Sequence, residues 1–100
     1  MVRKIIWSAR AQNDRKTIFS YWNRRNGSNV YSKKLNKFFI DAVELLSTHP
    51  KLGRITNNLN IRVKIVRDYI IIYEFNDEYL IVHSIFDTRQ NPTKLKQIIK

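Results

Sequence analysis

Residues 69–75 and 79–86 are two apolar, aromatic and β-branched runs on either side of the polar triplet Asn76-Asp77-Glu78. Runs of this kind around a short turn predict a hairpin. The first run is apolar at odd and even positions alike, from Tyr69 through Ile70, Ile71 and Ile72 to Tyr73. Such a strand is expected near the middle of a sheet, at least partly covered on each side. Upstream, residues 59–66 alternate, with Ile61, Val63 and Ile65 against Arg62 and Lys64, which predicts a half-buried strand joined to the hairpin by a tight turn at Arg67-Asp68. A small sheet of this kind needs a cover, and the preceding residues supply it.

Ser8 follows a short strand-like segment, residues 2–7, and is a good N-cap for a helix running to about Arg25. Ala11, Ile18, Phe19 and Trp22 keep helical spacing, with Gln12, Asn13, Arg15 and Lys16 forming a wet face between them. Gly27 suits a left-handed helix end. A second helix is predicted over residues 30–48, where Tyr31, Leu35, Phe38, Phe39, Ala42, Leu45 and Leu46 recur every three or four residues. Pro50 stops it, because proline disfavours helical geometry in the residue before it. The short connection predicts an antiparallel helical hairpin. The order strand, helix, helix, strand, strand, strand defines an α+β domain: an N-terminal strand and a helical hairpin packed on one face of a mainly antiparallel four-stranded sheet. Leu95, Ile98 and Ile99 suggest a short amphipathic helix in the tail after Pro92.

One hundred residues form one domain by ordinary size statistics, here with a short tail over residues 93–100. The chain lacks cysteine, so disulfides and thiolate metal sites are excluded, as suits a reducing cytoplasm. Nineteen Lys and Arg against eight Asp and Glu give a net charge of +11, a field that favours a polyanion or an acidic protein partner. No apolar run reaches membrane-spanning length, and the start lacks the long apolar stretch of a signal peptide. His49 and His83, without flanking carboxylates or cysteines, give no metal pattern, and no cofactor is expected.

The chain resembles the RelE/ParE toxin superfamily of bacterial type II toxin–antitoxin systems, nearer its ParE-like members. The likeness is carried by Trp7-Ser8 with Ala11, Asp14, Ile18 and Tyr21-Trp22, by Leu45-Leu46, by His49-Pro50-Lys51-Leu52-Gly53-Arg54, by Tyr69 and Tyr73, and by Asp87-Thr88-Arg89-Gln90-Asn91-Pro92. The resemblance implies a cytoplasmic toxin held in a hetero-oligomer by a cognate antitoxin, whose extended or helical segment wraps the domain. It implies one of two targets, DNA gyrase for ParE-like members or mRNA on the ribosome for RelE-like ones. A non-toxic basic nucleic-acid-binding module is a third reading of the charge alone.

Metal-independent RNA cleavage requires a base, an acid and cations around a crowded phosphate. By resemblance to RelE-like nucleases, Arg62, Lys64 and Arg89 would form that cluster. The arginine that follows the first tyrosine of the pair in those nucleases is Ile70 here, which removes a charge from the centre of the site and favours the gyrase reading. If Tyr69, Ile71 and Tyr73 face the helices together with Ile61, Val63 and Ile65, then Arg62, Lys64, Ile70, Ile72 and Glu74 share the uncovered face. Ile70, Ile72 and Glu74, with Lys33 and Lys37 on the second helix, are then the expected antitoxin- or target-binding residues. His83 is expected to be structural, and Asp14 to be a surface charge or, as the alternative, to hold the sheet end near Arg89.

Overall fold

The Ser8 side chain starts the first helix as its position predicts, and also binds it to the far end of the chain. Its hydroxyl oxygen accepts from Ala11 N at 3.0 Å and donates to the His83 carbonyl at 2.7 Å. The structure, a computed structural model, describes residues 2–89. Its elements are β1 (Lys4–Trp7), α1 (Ala9–Asn26), α2 (Val30–Thr48), a 3₁₀ turn (Pro50–Leu52), β2 (Arg54–Ile55), β3 (Ile61–Val66), β4 (Tyr69–Phe75) and β5 (Tyr79–Asp87). Gly27 ends α1 in the left-handed region at φ 66°, a conformation that costs other residues about 1–2 kcal/mol. The helix expected after Pro92 lies outside the described residues.

The sheet has five strands rather than four, in the order β1-β5-β4-β3-β2, and it is mixed: β1 pairs with β5 in parallel and all other pairs are antiparallel. The extra strand is two residues long and lies between the Pro50 stop and the strand expected over residues 59–66. β4 is central, as its two-sided apolar pattern predicts.

Leu35, Phe39, Val43 and Leu46 of α2 and Ala11 of α1 pack on Tyr69, Ile71, Tyr73, Leu80, Val82 and Ile85 of the sheet. Full burial of one such aliphatic or aromatic side chain contributes about 1.5–3 kcal/mol. Val43 takes the inward position, and Leu45, expected in the stripe, is 46% exposed. Arg15, expected on the wet face, instead lies 4.4 Å over the Trp7 ring and donates to Asn36 Oδ1 at 2.7 Å.

The cross-strand register corrects the assignment of faces. Arg62 lies opposite Tyr73, Lys64 opposite Ile71 and Val66 opposite Tyr69, while Val63 lies opposite Ile72 and Ile65 opposite Ile70. Residues directly opposite each other share a face. Arg62 and Lys64 are therefore on the helix side, and Ile61, Val63 and Ile65 join Ile70, Ile72 and Glu74 on the face away from the helices. Alternation alone separates the two sets; which set turns inward depends on the register with β4.

Arg62 can occupy the helix side because it lies at the sheet margin, beyond the end of α2. Its guanidinium donates to the carbonyls of Lys51 and Gly53, at 3.2 and 2.9 Å. Beside it the fully buried Tyr73 hydroxyl donates to Pro50 O at 2.6 Å and accepts from Gly53 N at 3.0 Å. A Cβ at Gly53 would overlap that hydroxyl, so only glycine fits. Tyr73→Phe leaves the Pro50 carbonyl and Gly53 amide buried without their partner, at a cost of about 2 kcal/mol. The thermal midpoint should fall by roughly 10 °C for a domain of this size; an unchanged midpoint in a calorimetric melt would show that this contact does not hold the turn.

Candidate functional site

Three places on the fold gather chemistry-bearing side chains. The first is the end of β5, where Arg89 lies beside two carboxylates. Its guanidinium is 3.2 Å from Asp87 and 3.8 Å from Asp68, and sits 5.5 Å over the Trp22 ring. The hydrogen bond to Asp87 holds the Arg89 pKa further above its ordinary value. Trp22 Nε1 in turn donates to the Tyr69 hydroxyl at 2.7 Å. A cleft of about 280 Å³ adjoins this end, with Arg10, Asp14 and Tyr21 of α1 facing Ile85 and Asp87 of β5. Asp14 takes the second of its two expected roles: it accepts from Ile85 N at 2.9 Å and so satisfies the β5 edge beyond the reach of β1.

The second place is the face of the sheet away from the helices. Glu74 and His83 meet there, Oε1 to Nε2, at 2.6 Å, each side chain about one-third exposed. Sequence separation hid this partner: His83 has no acidic neighbour along the chain, but a β-bulge between Ile72 and Tyr73 in the β4–β5 register brings it beside Glu74. Around the pair lie Ile6, Ile61, Ile72 and Ile81, which share this face by register. Ile70 and Val63 on the same face are buried, so neither side chain is exposed to a partner there.

The third place is the outer side of the helix layer, where Lys33 and Lys37 are exposed. Lys37 pairs with Asp41 at 3.3 Å, one turn along; such an exposed pair contributes only about 0.3–0.5 kcal/mol.

The residues expected to form a nuclease cluster are not brought together. Arg62 lies opposite Tyr73 on β3, whereas Asp87, two residues before Arg89, lies opposite Tyr69 on β5. Those rows are about 13 Å apart along β4, and β3 and β5 are about 10 Å apart across it. Arg62 is committed to two backbone carbonyls and Arg89 to two carboxylates. Lys64 shares the face of Arg62, but not that of Ile70. Among the described residues, no group of three or more His, Asp or Glu side chains could hold a metal ion, and no helix is long and apolar enough to cross a membrane.

Residues 5–92 match the family described as ParE toxin of type II toxin-antitoxin system, parDE. The chain belongs to that family, and is a ParE-like toxin component of a type II system. The fold is also that of a solved structure described as the chromosomal ParDE TA system from P. aeruginosa: TM-score 0.74 at 13% identity, over 86% of this chain and 96% of that one. No match was found among curated proteins.

Burial pushes the pKa of both Tyr69 and Tyr73 up from the ordinary tyrosine value. Once pH exceeds that ordinary value, about 10, the unfolded chain loses protons that the folded chain retains. The stability from these two groups is thus complete below about pH 10 and declines as pH rises further. Denaturant midpoints should hold steady up to that point and then drop, with two of the five tyrosines ionising only as the chain unfolds. Midpoints that stay level to about pH 12 would contradict this.

Proposed function

We propose that this toxin acts in the cytoplasm by binding a protein target, with DNA gyrase favoured over mRNA on the ribosome, and that a cognate antitoxin neutralises it in a hetero-oligomer. The observation that carries this reading is that the two arginines a nuclease would need are already engaged within the fold. Arg62 is used to hold a turn and Arg89 to close the end of β5, and Ile70 stands where the central arginine of RelE-like nucleases would be. A phosphate in flight between Arg62 and Arg89 would have to compete with those partners at both ends.

The antitoxin is best accommodated as a wrapping segment. Ile72 and Glu74, with the aliphatic side chains around them, offer an apolar strip with the Glu74–His83 contact at its centre, and Lys33 and Lys37 on the opposite layer offer exposed cations to an acidic continuation.

The test is induced expression of the chain alone, alongside a supercoiling assay with the purified protein. Expected are growth arrest, rescue by the antitoxin from the adjoining reading frame, and inhibition of gyrase with ribosome-bound mRNA left intact. Cleavage of mRNA in the ribosomal A site with supercoiling unaffected would reverse the choice of target. Ile72→Glu should weaken antitoxin binding by about tenfold or more, measured by calorimetry, because it places a charge in the centre of an apolar contact; equal affinity would remove this strip from the antitoxin interface.

A further inference from the structure

The turn that Tyr73 and Arg62 hold so firmly carries side chains that the fold itself leaves unused. Leu52 is 55% exposed, Ile55 58%, Leu59 92% and Leu45 46%. They are grouped by local connections. His49 N donates to Leu45 O and Leu52 N to His49 O, closing the end of α2 onto the 3₁₀ turn. Ile55 pairs with Arg62 at the sheet margin, and Leu59 tops the loop that joins β2 to β3. A cleft of about 390 Å³ opens beside Leu52, floored by Pro50 and flanked by Lys51.

Scattered exposed leucines need no explanation, but several at one corner of a small domain mark an interaction surface. Here the corner is also rigid. Its backbone is fixed from within by the buried Tyr73 hydroxyl and by the Arg62 guanidinium, and Thr56, itself buried, places its hydroxyl 2.8 Å from Ile61 O and accepts from Asn58 N. A preorganised loop loses less conformational freedom on binding.

The charge along this stretch of chain has one sign. Every charged residue among residues 45–67 is Lys or Arg, and Lys51 and Arg54 stand exposed at the corner. The same stretch contains no Phe, Tyr or Trp, and its one ring, the His49 imidazole, is a small platform beside the several aromatics on which single strands stack. Two copies of this chain would oppose cation to cation across the contact. Aliphatic side chains rimmed by Lys51 and Arg54 complement an apolar protein surface rimmed by carboxylates.

We infer that the corner formed by Leu52, Ile55 and Leu59, with Lys51 and Arg54 at its rim, is the surface by which the toxin docks on an acidic, partly apolar face of its protein target, separate from the strip that takes the antitoxin. This inference rests on the protein-targeting reading above. It explains why the fold holds this turn with buried hydrogen bonds while exposing its apolar side chains.

The test compares the unaltered chain with a Leu52→Ser, Ile55→Ser, Leu59→Ser variant and with Arg54→Glu. Growth inhibition on induction, affinity for the antitoxin and the thermal midpoint are measured for each. Expected is a loss of about tenfold or more in inhibitory potency for both variants, with antitoxin affinity within about twofold and the midpoint little changed, because all four side chains are exposed. If the unaltered chain arrests growth and the serine variant does so equally, the corner is not the docking surface. A parallel loss of antitoxin affinity would reassign the corner to the antitoxin. A fall in affinity for DNA, RNA or anionic phospholipid vesicles, with the serine variant still fully toxic, would make it a polyanion contact instead. If the unaltered chain fails to arrest growth, the toxin reading itself fails and this assignment fails with it.

Discussion

The buried hydroxyl of Tyr73 is the point at which the sheet, the end of α2 and the β2 margin become one structure. It donates to Pro50 O and accepts from Gly53 N, so both polar functions of the turn are satisfied inside the protein, where an unpaired group would cost about 1–3 kcal/mol. The arrangement explains three sequence features together. Pro50 ends α2 at the place where its carbonyl can reach the hydroxyl, Gly53 leaves room for the ring, and Arg62 takes the remaining carbonyls from the neighbouring strand. Without this junction the chain after Thr48 would have no fixed path back to the sheet.

The net charge of +11 is less of a single field than composition suggests. Arg3, Arg15, Arg25, Arg67 and Arg89 each lie over an aromatic ring, where the cation is attracted to the ring face and its aliphatic stem covers apolar surface. Arg67 does so from a left-handed backbone at φ 57°, holding the β3–β4 turn against Phe38 of α2. These cations are part of the fold. Those left to face a partner are mainly the lysines, joined at the corner by Arg54, while the end of β5 is locally balanced by Asp68 and Asp87.

Much of the architecture was legible in the sequence because it rests on local rules. The caps at Ser8 and Gly27, the stop at Pro50, the period of α2 and the two-sided apolar run of β4 all fall where chain chemistry places them. What was not legible depends on contacts distant along the chain. Alternation in β3 divides Ile61, Val63 and Ile65 from Arg62 and Lys64 without saying which set turns to the helices, and the expectation that the apolar set does so fails because Arg62 finds carbonyls at the margin. The partner of His83 needs a bulge to bring it to Glu74, the role of Asp14 needs β1 to end before β5 does, and β2 is too short to leave a period. In each case a polar residue judged by its neighbours in sequence is satisfied by a neighbour in space.

The two proposed surfaces have one strand in common, and that strand ties them together physically. Alternate residues of β3 point to opposite faces: Ile61, Val63 and Ile65 support the strip proposed for the antitoxin, while Arg62 anchors the corner proposed for the target. A slip of one residue would exchange the two sets and undo both surfaces at once. The register is therefore pinned at each end, by Arg62 and Thr56 at the start of the strand and by the left-handed Arg67 turn at its finish. An antitoxin lying on the strip presses on the same strand that shapes the corner, so neutralisation need not require the two partners to compete for the same atoms. Covering one side of a five-stranded sheet fixes the position of whatever the margin can still present.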